Sequence, residues 1–85
     1  MPKIIFSDHA IYQMRERKIT EKLVKLALNK PDKIILQFNF RKKSIKQFKR
    51  RRRNYLLIVV YEEQRAAQKV ITAFITSKIQ KYLTD

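Results

Sequence analysis

The sequence predicts one α+β domain over residues 1–85, a two-layer sandwich in which an N-terminal helix pair packs on a four-stranded antiparallel meander. Two segments of the first half have the apolar spacing of helices, and each follows a helix-capping residue. The second half contains runs of β-forming residues separated by short polar segments. Hydrophobic residues make up 45% of the chain and cysteine is absent, so an apolar core must stabilise this fold without disulfides.

The first strand and the first helix are predicted from the opening of the chain. Ile4–Phe6 is a short apolar run, and Ser7 follows it with a hydroxyl that can accept a hydrogen bond from a free amide of the first helical turn. The helix is predicted over Asp8–Lys18. Its first residue is acidic, which the positive end of the helix dipole favours. Its apolar stripe consists of Ala10, Ile11 and Met14.

The second helix begins with the same signals. Thr20 supplies the capping hydroxyl, and Glu21 opens the first turn. One face of this helix is apolar and consists of Leu23, Val24, Ala27 and Leu28. The helix is predicted to end at Asn29, because Pro31 has no amide hydrogen and cannot continue it.

Four further strands and a short closing helix complete the predicted order β-α-α-β-β-β-β-α. The strands are expected at residues 33–38, 44–51, 55–61 and 69–76, and the turns at 39–43, 52–54 and 62–67. Tyr55–Tyr61 is apolar throughout, which predicts a central strand buried on both faces. Asn54 is expected to take a positive φ, since the chain has no glycine. The closing helix is predicted from the spacing of Ile79, Tyr82 and Leu83.

Composition excludes several kinds of functional site. A chain without glycine cannot form the glycine-rich loops that bind nucleotides, and a chain without cysteine has no thiolate metal site. Because the sequence has no acidic cluster that would bind Mg²⁺, we expect neither a metal nor a cofactor. The longest apolar run is far shorter than the roughly 20 residues of a membrane helix, which favours a cytoplasmic protein.

Positive charge is concentrated in one segment. Lys and Arg number 21 against 7 Asp and Glu, a net charge of +14, and nine of the thirteen residues at 41–53 are basic. Cations that follow phosphates beside aromatic rings suit single-stranded nucleic acid. The predicted RNA contacts are Lys46, Phe48, Lys49, Arg50, Arg51, Arg52, Arg53 and Lys78. The alternative is a solubilising edge strand, whose lysines only block aggregation.

The first predicted helix carries two candidate catalytic residues. His9 is the only histidine, and a histidine side chain titrates in the range that suits a general base at neutral pH. The alternative for His9 is a hydrogen bond to the nearby backbone. Arg17 lies about 80° beyond two full helical turns from His9, so the two side chains share one side of the helix. The alternative for Arg17 is an ion pair with Glu16 or Glu21.

Residues 9–20 resemble the opening of a family of small uncharacterised domains. Members of that family begin with His-Ala, continue with an Arg-rich helix that ends in Glu-Arg-Gly-Ile-Ser/Thr, and end a second helix with Asn-Pro-Asp. The corresponding stretches here are His9-Ala10, Arg17–Thr20 and Asn29–Asp32. Lys18 stands in place of the usual glycine, and Gln13 stands in place of a frequent arginine.

The layout of that family is similar to that of the RelE and BrnT toxins of toxin–antitoxin pairs. The resemblance implies a metal-independent endoribonuclease toxin of a type II pair, which acts on RNA such as ribosome-associated mRNA and is neutralised by an acidic antitoxin. His9 would be the base, and Arg17 would hold the phosphate together with cations of the basic segment. Tyr82 or Lys78 would supply the proton to the leaving oxygen.

Two other function classes fit the same residues. A non-catalytic RNA- or DNA-binding domain would use the basic segment without cleaving the nucleic acid. An interaction module would instead dock an acidic protein segment there, by strand addition to an exposed edge. Tyr82 also fits the apolar stripe of the closing helix, so a place in the core is an equal alternative to a catalytic role.

Overall fold

The computed structural model describes residues 3–83, and side chains as far as Lys81. Within that range the elements occur in the predicted order. They are β1 (Lys3–Phe6), α1 (Asp8–Glu16), α2 (Glu21–Asn29), β2 (Lys33–Leu36), β3 (Arg41–Arg50), β4 (Arg53–Gln64), β5 (Ala67–Thr76) and α3 (Ile79–Leu83). Among residues 3–83, no helix combines the length and the apolar content that crossing a membrane requires.

The strands form a five-stranded mixed sheet with the order β1-β5-β4-β3-β2. β2 to β5 form the predicted antiparallel meander, whereas β1 pairs in parallel with β5, with Lys3 opposite Ala67. The prediction of a four-stranded, wholly antiparallel sheet is therefore wrong. A parallel pair joins segments that are distant in sequence, and no local pattern of residues indicates which distant segments pair.

Both predicted helix N-caps are confirmed. The Ser7 hydroxyl accepts a hydrogen bond from the Ala10 amide at 3.0 Å. The Thr20 hydroxyl accepts one from the Leu23 amide at 3.2 Å. The two helices cover one face of the sheet, with α1 against β5 and α2 against β3 and β4.

α1 ends at Glu16, before the predicted end at Lys18, because Lys18 has a positive φ of 56°. The Ile19 amide donates to the Met14 carbonyl, and the Lys18 amide donates to the Arg15 carbonyl. This pair of bonds is the Schellman motif, whose left-handed residue is usually glycine. A glycine at position 18 would adopt this conformation more easily than lysine.

β4 lies at the centre of the sheet, and the prediction of a strand buried on both faces is confirmed. Its side chains alternate between two cores. Leu57 and Val59 pack beneath α1 and α2, whereas Leu56 and Ile58 pack on the opposite face near Ile79 of α3. The helix pair thus forms the main second layer, and α3 adds a small cover on the other side.

Two tight turns connect β2 to β3 and β3 to β4, and both are shorter than predicted. Asn39 and Phe40 have φ angles of 65° and 62°, and Arg51 and Arg52 have φ angles of 52° and 68°. Two consecutive positive φ angles are typical of type I′ turns, which match the twist of a β-hairpin. The prediction that Asn54 takes the positive φ is wrong, because Asn54 already belongs to the β4 ladder.

Ser44 links the helix layer to the sheet. Its side chain is 1% exposed, and its hydroxyl donates a hydrogen bond to the carbonyl of Ala27 near the end of α2. Inside a helix that carbonyl would accept from the amide four residues later, but Pro31 stands there and has no amide hydrogen. Ser44 therefore satisfies a buried carbonyl that α2 itself cannot satisfy.

Candidate nucleic-acid interface

The basic segment forms β3 and the turn that follows it. β3 pairs with β4 along its whole length, but with β2 only over Lys42–Ile45. The stretch Lys46–Arg50 is therefore open on the β2 side of the sheet, and the alternative of a solubilising edge strand still applies to it. Its side chains alternate between the two faces of the sheet, since Phe48 packs with the helix-side core and Ile45 packs with the opposite core.

Acidic side chains pair with three of the four cations at residues 41–46 of β3. The ion pairs there are Arg41–Glu62 at 3.1 Å, Lys42–Glu63 at 3.0 Å and Lys46–Asp32 at 3.6 Å. Asp32 also accepts a hydrogen bond from the Gln47 amide at 2.7 Å. Lys46, one of the predicted RNA contacts, therefore forms a structural ion pair with Asp32, the residue before β2.

The second half of the segment ends in the arginine turn, a name used here for Lys49–Arg53. Its five residues are all exposed, and none of them forms an ion pair within the part of the chain that is described. Arg50 and Arg53 lie directly opposite each other across the two strands, where like charges repel. The turn thus concentrates positive charge that no acidic side chain in residues 3–81 compensates.

The backbone of the arginine turn is also costly. Arg51 and Arg52 are both left-handed, with φ angles of 52° and 68°. A type I′ turn favours Asn-Gly, and a left-handed residue other than glycine, asparagine or aspartate costs about 1–2 kcal/mol. Arginine therefore occupies two positions where asparagine and glycine would fold more easily.

Phe48 supports the arginine turn from inside. Its ring is half-buried against the helix-side core, and its centroid lies 5.9 Å from that of Tyr55. The Arg50 guanidinium lies over the same ring, 5.6 Å from the centroid. Phe48 thus contacts Tyr55, Arg50 and the core, and it is half-buried rather than an open surface for base stacking.

Lys78 lies at the same end of the sheet as the arginine turn. β5 ends at Thr76, which pairs with Leu56 close to the beginning of β4. Lys78 follows as an exposed residue between β5 and α3. For Tyr82 only the place in α3 is known, because its side chain lies outside the described residues, and its proposed proton transfer stays a prediction.

The other candidate catalytic side chains lie on α1. His9 is exposed in the first turn of the helix. Arg17 donates from Nη1 to the Ala73 carbonyl at 2.8 Å, rather than to an acidic side chain. β1 is shorter than β5, so part of the outer edge of β5 has no strand partner, and Arg17 bonds to that part. Gln13 accepts a hydrogen bond from the Thr72 hydroxyl in the same stretch.

The sheet register separates His9 from the arginine turn. The Ser7 amide donates to the Val70 carbonyl, and Val70 lies opposite Tyr61 on β4. Arg53 lies at the far end of β4 from Tyr61, and at about 3.3 Å of rise per residue the two are roughly 25 Å apart. The structure therefore places Lys78 and the arginine turn at the same end of the sheet, but it does not place His9 and the turn at one phosphate.

Titratable groups form no other centre among the described residues. Burial raises the pKa of Tyr61 above its ordinary value of 10.0, while Lys42 lowers it and Glu63 raises it further. Tyr61 is part of the helix-side core. No three His, Asp or Glu side chains of residues 3–81 are grouped so that they could hold a metal ion.

One exposed apolar region was not expected from the sequence. Leu36, Phe38 and Phe40, at the end of β2 and in the turn that follows, are 74%, 94% and 92% exposed. The signal in the sequence is a pair of phenylalanines on either side of Asn39, in a turn where polar residues are usual. These side chains have no place in the predicted RNA interface.

A comparison with protein-family models matches residues 6–75 to a domain of unknown function, DUF4258. The chain belongs to the DUF4258 family. No curated protein and no solved structure matches it. The residues of this DUF4258 domain that match include α1, α2 and the arginine turn, whereas Lys78 and Tyr82 lie beyond them.

Proposed function

We propose that the protein binds RNA in the cytoplasm through the arginine turn, with Lys78 beside it. The observation that carries this proposal is the pair of left-handed arginines, Arg51 and Arg52, at the tip of the hairpin. A costly backbone conformation is characteristic of functional sites, where a second requirement selects the side chain. Here that requirement is positive charge at a projecting tip, and the group that it suits is phosphate.

The surroundings of the turn support phosphate binding. Arginine presents several N–H donors in one plane, so it matches two oxygens of a phosphate at once. Arg50 lies over Phe48 and forms no ion pair within the described residues, so its donors are not engaged by an acidic side chain there. A narrow hairpin tip suits single-stranded RNA, whose backbone is flexible enough to pass close to adjacent cations.

The double variant Arg51→Asn/Arg52→Gly tests the proposal, because it removes two positive charges and introduces residues that adopt the left-handed turn conformation more easily. The substitution supplies the preferred type I′ pair, so we expect the free energy of unfolding to rise by about 1–2 kcal/mol. Affinity for a fluorescent single-stranded oligouridylate is expected to fall by roughly tenfold or more, because two phosphate contacts are lost. Urea unfolding and fluorescence anisotropy measure the two effects on the same preparations.

The matched control removes the same charge at the opposite end of the sheet, as Lys3→Gln/Arg65→Gln, which are exposed residues at the start of β1 and in the turn between β4 and β5. We expect this control to bind RNA nearly as well as the wild type. An equal loss of affinity in the two double variants would show that only net charge matters, and would contradict the proposal. Unchanged affinity in the arginine variant would contradict it as well.

A second candidate function is the metal-independent endoribonuclease toxin of the RelE/BrnT type, neutralised by an acidic antitoxin. It is favoured by His9, which is exposed and has no hydrogen-bond partner among the described residues, so it is free to contact a substrate. Tyr12 lies one helical turn further on and is 64% exposed, which offers a second group for proton transfer beside the predicted Tyr82.

In this candidate reaction His9 takes the proton of the 2′-hydroxyl, and the 2′-oxygen attacks the adjacent phosphorus. The bond to the 5′-oxygen breaks, and an acid such as Tyr82 or Tyr12 protonates that leaving oxygen. Arg17 would stabilise the charge on the phosphorane through the N–H groups that Ala73 does not occupy.

Incubation of the purified wild type with RNA, followed by sequencing of the cleaved ends, tests the toxin hypothesis. We expect His9→Ala to abolish cleavage and growth arrest while RNA binding remains, and Tyr12→Phe to separate the two candidate acids. Lys25→Ala serves as the matched surface control. Intact RNA in the presence of the wild-type protein would contradict the toxin hypothesis and leave the RNA-binding proposal standing.

A further inference from the structure

An apolar region lies at the end of the sheet opposite to the arginine turn. It is called the edge patch and consists of Ile34, Leu36, Phe38 and Phe40. These side chains are 48%, 74%, 94% and 92% exposed. A contiguous exposed apolar surface on a small domain usually marks a site of interaction with another molecule.

The backbone of β2 is open on the same side of the molecule. β2 is the last strand of the sheet and pairs only with β3. The Gln37 amide donates to the Arg41 carbonyl, and in an antiparallel ladder alternate residues bond to the neighbour. Ile35 therefore bonds to β3, whereas the N–H and C=O groups of Ile34 and Leu36 point away from the sheet.

The helix layer does not extend over this edge. α2 packs on β3 and β4, and α1 packs on β5. Beyond α2, a cavity of about 600 Å³ lies beside the turn, with Leu36 and Phe40 among its lining residues. Open backbone groups, exposed apolar side chains and an adjacent cavity thus occur together, which is the arrangement used in β-strand addition.

Charge identifies the occupant. A second copy of this chain would bring another +14 charge to the interface, which opposes association. Lys30 precedes β2, and Lys43 lies opposite Ile35 on β3. Neither lysine forms an ion pair within the described residues, so a negatively charged segment along β2 would find one unneutralised cation before the strand and another on the neighbouring strand.

We propose that the edge patch docks an extended acidic segment of another protein, which adds to β2 as a sixth strand. The backbone of that segment would bond to Ile34 and Leu36, and its alternate apolar side chains would cover Leu36 and Phe40. Its acidic side chains would face Lys30 and Lys43. The site does not rest on RNA binding, because the length of β3 separates it from the arginine turn.

A labelled synthetic peptide of about nine residues, with glutamate alternating with valine or isoleucine, tests the proposal. Fluorescence anisotropy without RNA is expected to give saturable binding with Kd below about 100 μM. Hydrogen exchange measured by NMR is expected to slow at the Ile34 and Leu36 amides. A peptide with lysine in place of glutamate is expected to bind at least roughly tenfold more weakly.

Leu36→Pro removes an outward amide and an exposed side chain while the bonds of Ile35 and Gln37 to β3 remain, as edge strands permit. Phe40→Ser removes only an aromatic ring, so it tests the patch if the proline variant unfolds. Both are expected to bind the peptide at least about tenfold more weakly than the wild type. Ile11→Ser, an exposed apolar residue on α1, is the control and is expected to bind normally.

Three results would overturn the proposal. One is the absence of saturable binding up to about 1 mM peptide. Another is an equal affinity of the wild type, Leu36→Pro and Phe40→Ser for the peptide. The third is a dimer of the wild type in analytical ultracentrifugation that Phe40→Ser dissociates, which would make a second copy of the chain the occupant.

Discussion

Every left-handed residue in residues 3–83 carries a side chain, because the chain has no glycine. The five positions are Lys18, Asn39, Phe40, Arg51 and Arg52. Asparagine adopts this conformation readily, whereas lysine, phenylalanine and arginine do so at a cost of about 1–2 kcal/mol each. The side chains at those four positions therefore lower the free energy of unfolding, and the sequence retains them nonetheless.

Lys18 is the position where this cost can be measured without touching a proposed binding surface. We expect Lys18→Gly to raise the free energy of unfolding by about 1 kcal/mol, because glycine fits the left-handed position of the Schellman motif. Lys25→Gly in the exposed middle of α2 is the matched control, and it should lower stability by about 1 kcal/mol. Urea denaturation measures the change in the free energy of unfolding for both variants, and a loss of stability in Lys18→Gly would refute this account.

The side chain of Tyr61 makes the free energy of unfolding depend on pH in the alkaline range. Burial raises its pKa in the folded state above 10.0, so the folded protein keeps the phenolic proton after the unfolded chain has lost it. The contribution is complete below about pH 10 and is lost as pH rises through the folded pKa, because the folded state then binds more protons.

The variant Tyr61→Phe removes this titration and leaves the ring in place. We expect the stability of the wild type to fall more steeply than that of the variant above about pH 10, as measured by urea unfolding at a series of pH values. Tyr12→Phe, at an exposed tyrosine, is the control and should follow the wild type. Parallel curves for wild type and Tyr61→Phe would contradict the prediction.

At the scale of single elements, α2 is held to the sheet by the Ser44 hydroxyl. Ser44→Ala would leave the buried Ala27 carbonyl without a hydrogen bond, because Pro31 cannot supply one. We expect the free energy of unfolding to fall by about 1–3 kcal/mol in urea denaturation. Ser77→Ala, at an exposed serine, should change it little, and an equally small effect at Ser44 would contradict the proposed tether.

Local signals predicted the helices and the central strand well. Ser7 and Thr20 act within one helical turn, so the residues that define each helix start are adjacent in sequence. The continuous apolar run of β4 is equally local. The β1–β5 pair is set by the whole sheet, and Asn54 shows the limit of turn preferences, because the register of β3 on β4 places the turn at Arg51 and Arg52 instead.

The candidate site was likewise predictable only where it depends on residues that are adjacent in sequence. The run of basic residues identifies the arginine turn, since nine cations among thirteen residues are visible in the sequence. The pairing of Lys46 with Asp32 and the bond from Arg17 to the Ala73 carbonyl depend on tertiary contacts. The edge patch also depends on them, because apolar side chains such as Leu36 are exposed only where no helix covers the sheet.

At the scale of the whole molecule, charge and apolar surface lie at opposite ends of β3. The arginine turn follows its last residue, and the edge patch precedes its first. A partner bound at one end would therefore leave the other end free. A net charge of +14 also attracts polyanions from a distance, so the rate of association with RNA should depend on ionic strength.

Salt dependence tests how many phosphates the molecule engages. For about six contacts to single-stranded RNA, we expect the logarithm of the association constant to fall with a slope of about −4 against the logarithm of salt concentration. Anisotropy titrations over a range of KCl concentrations measure it. The variant Arg51→Asn/Arg52→Gly should show a shallower slope than Lys3→Gln/Arg65→Gln, and affinity independent of salt would contradict phosphate binding.

The parallel pair of β1 and β5 also determines when the fold can close during synthesis. β1 and α1 are translated early, but both pack against β5, which is translated late. At roughly 5–20 residues per second, the ribosome takes several seconds to reach β5 after it has made β1. During that interval Ile4 and Phe6 lack the core against which they pack, so these apolar side chains stay exposed on the nascent chain until β5 has emerged.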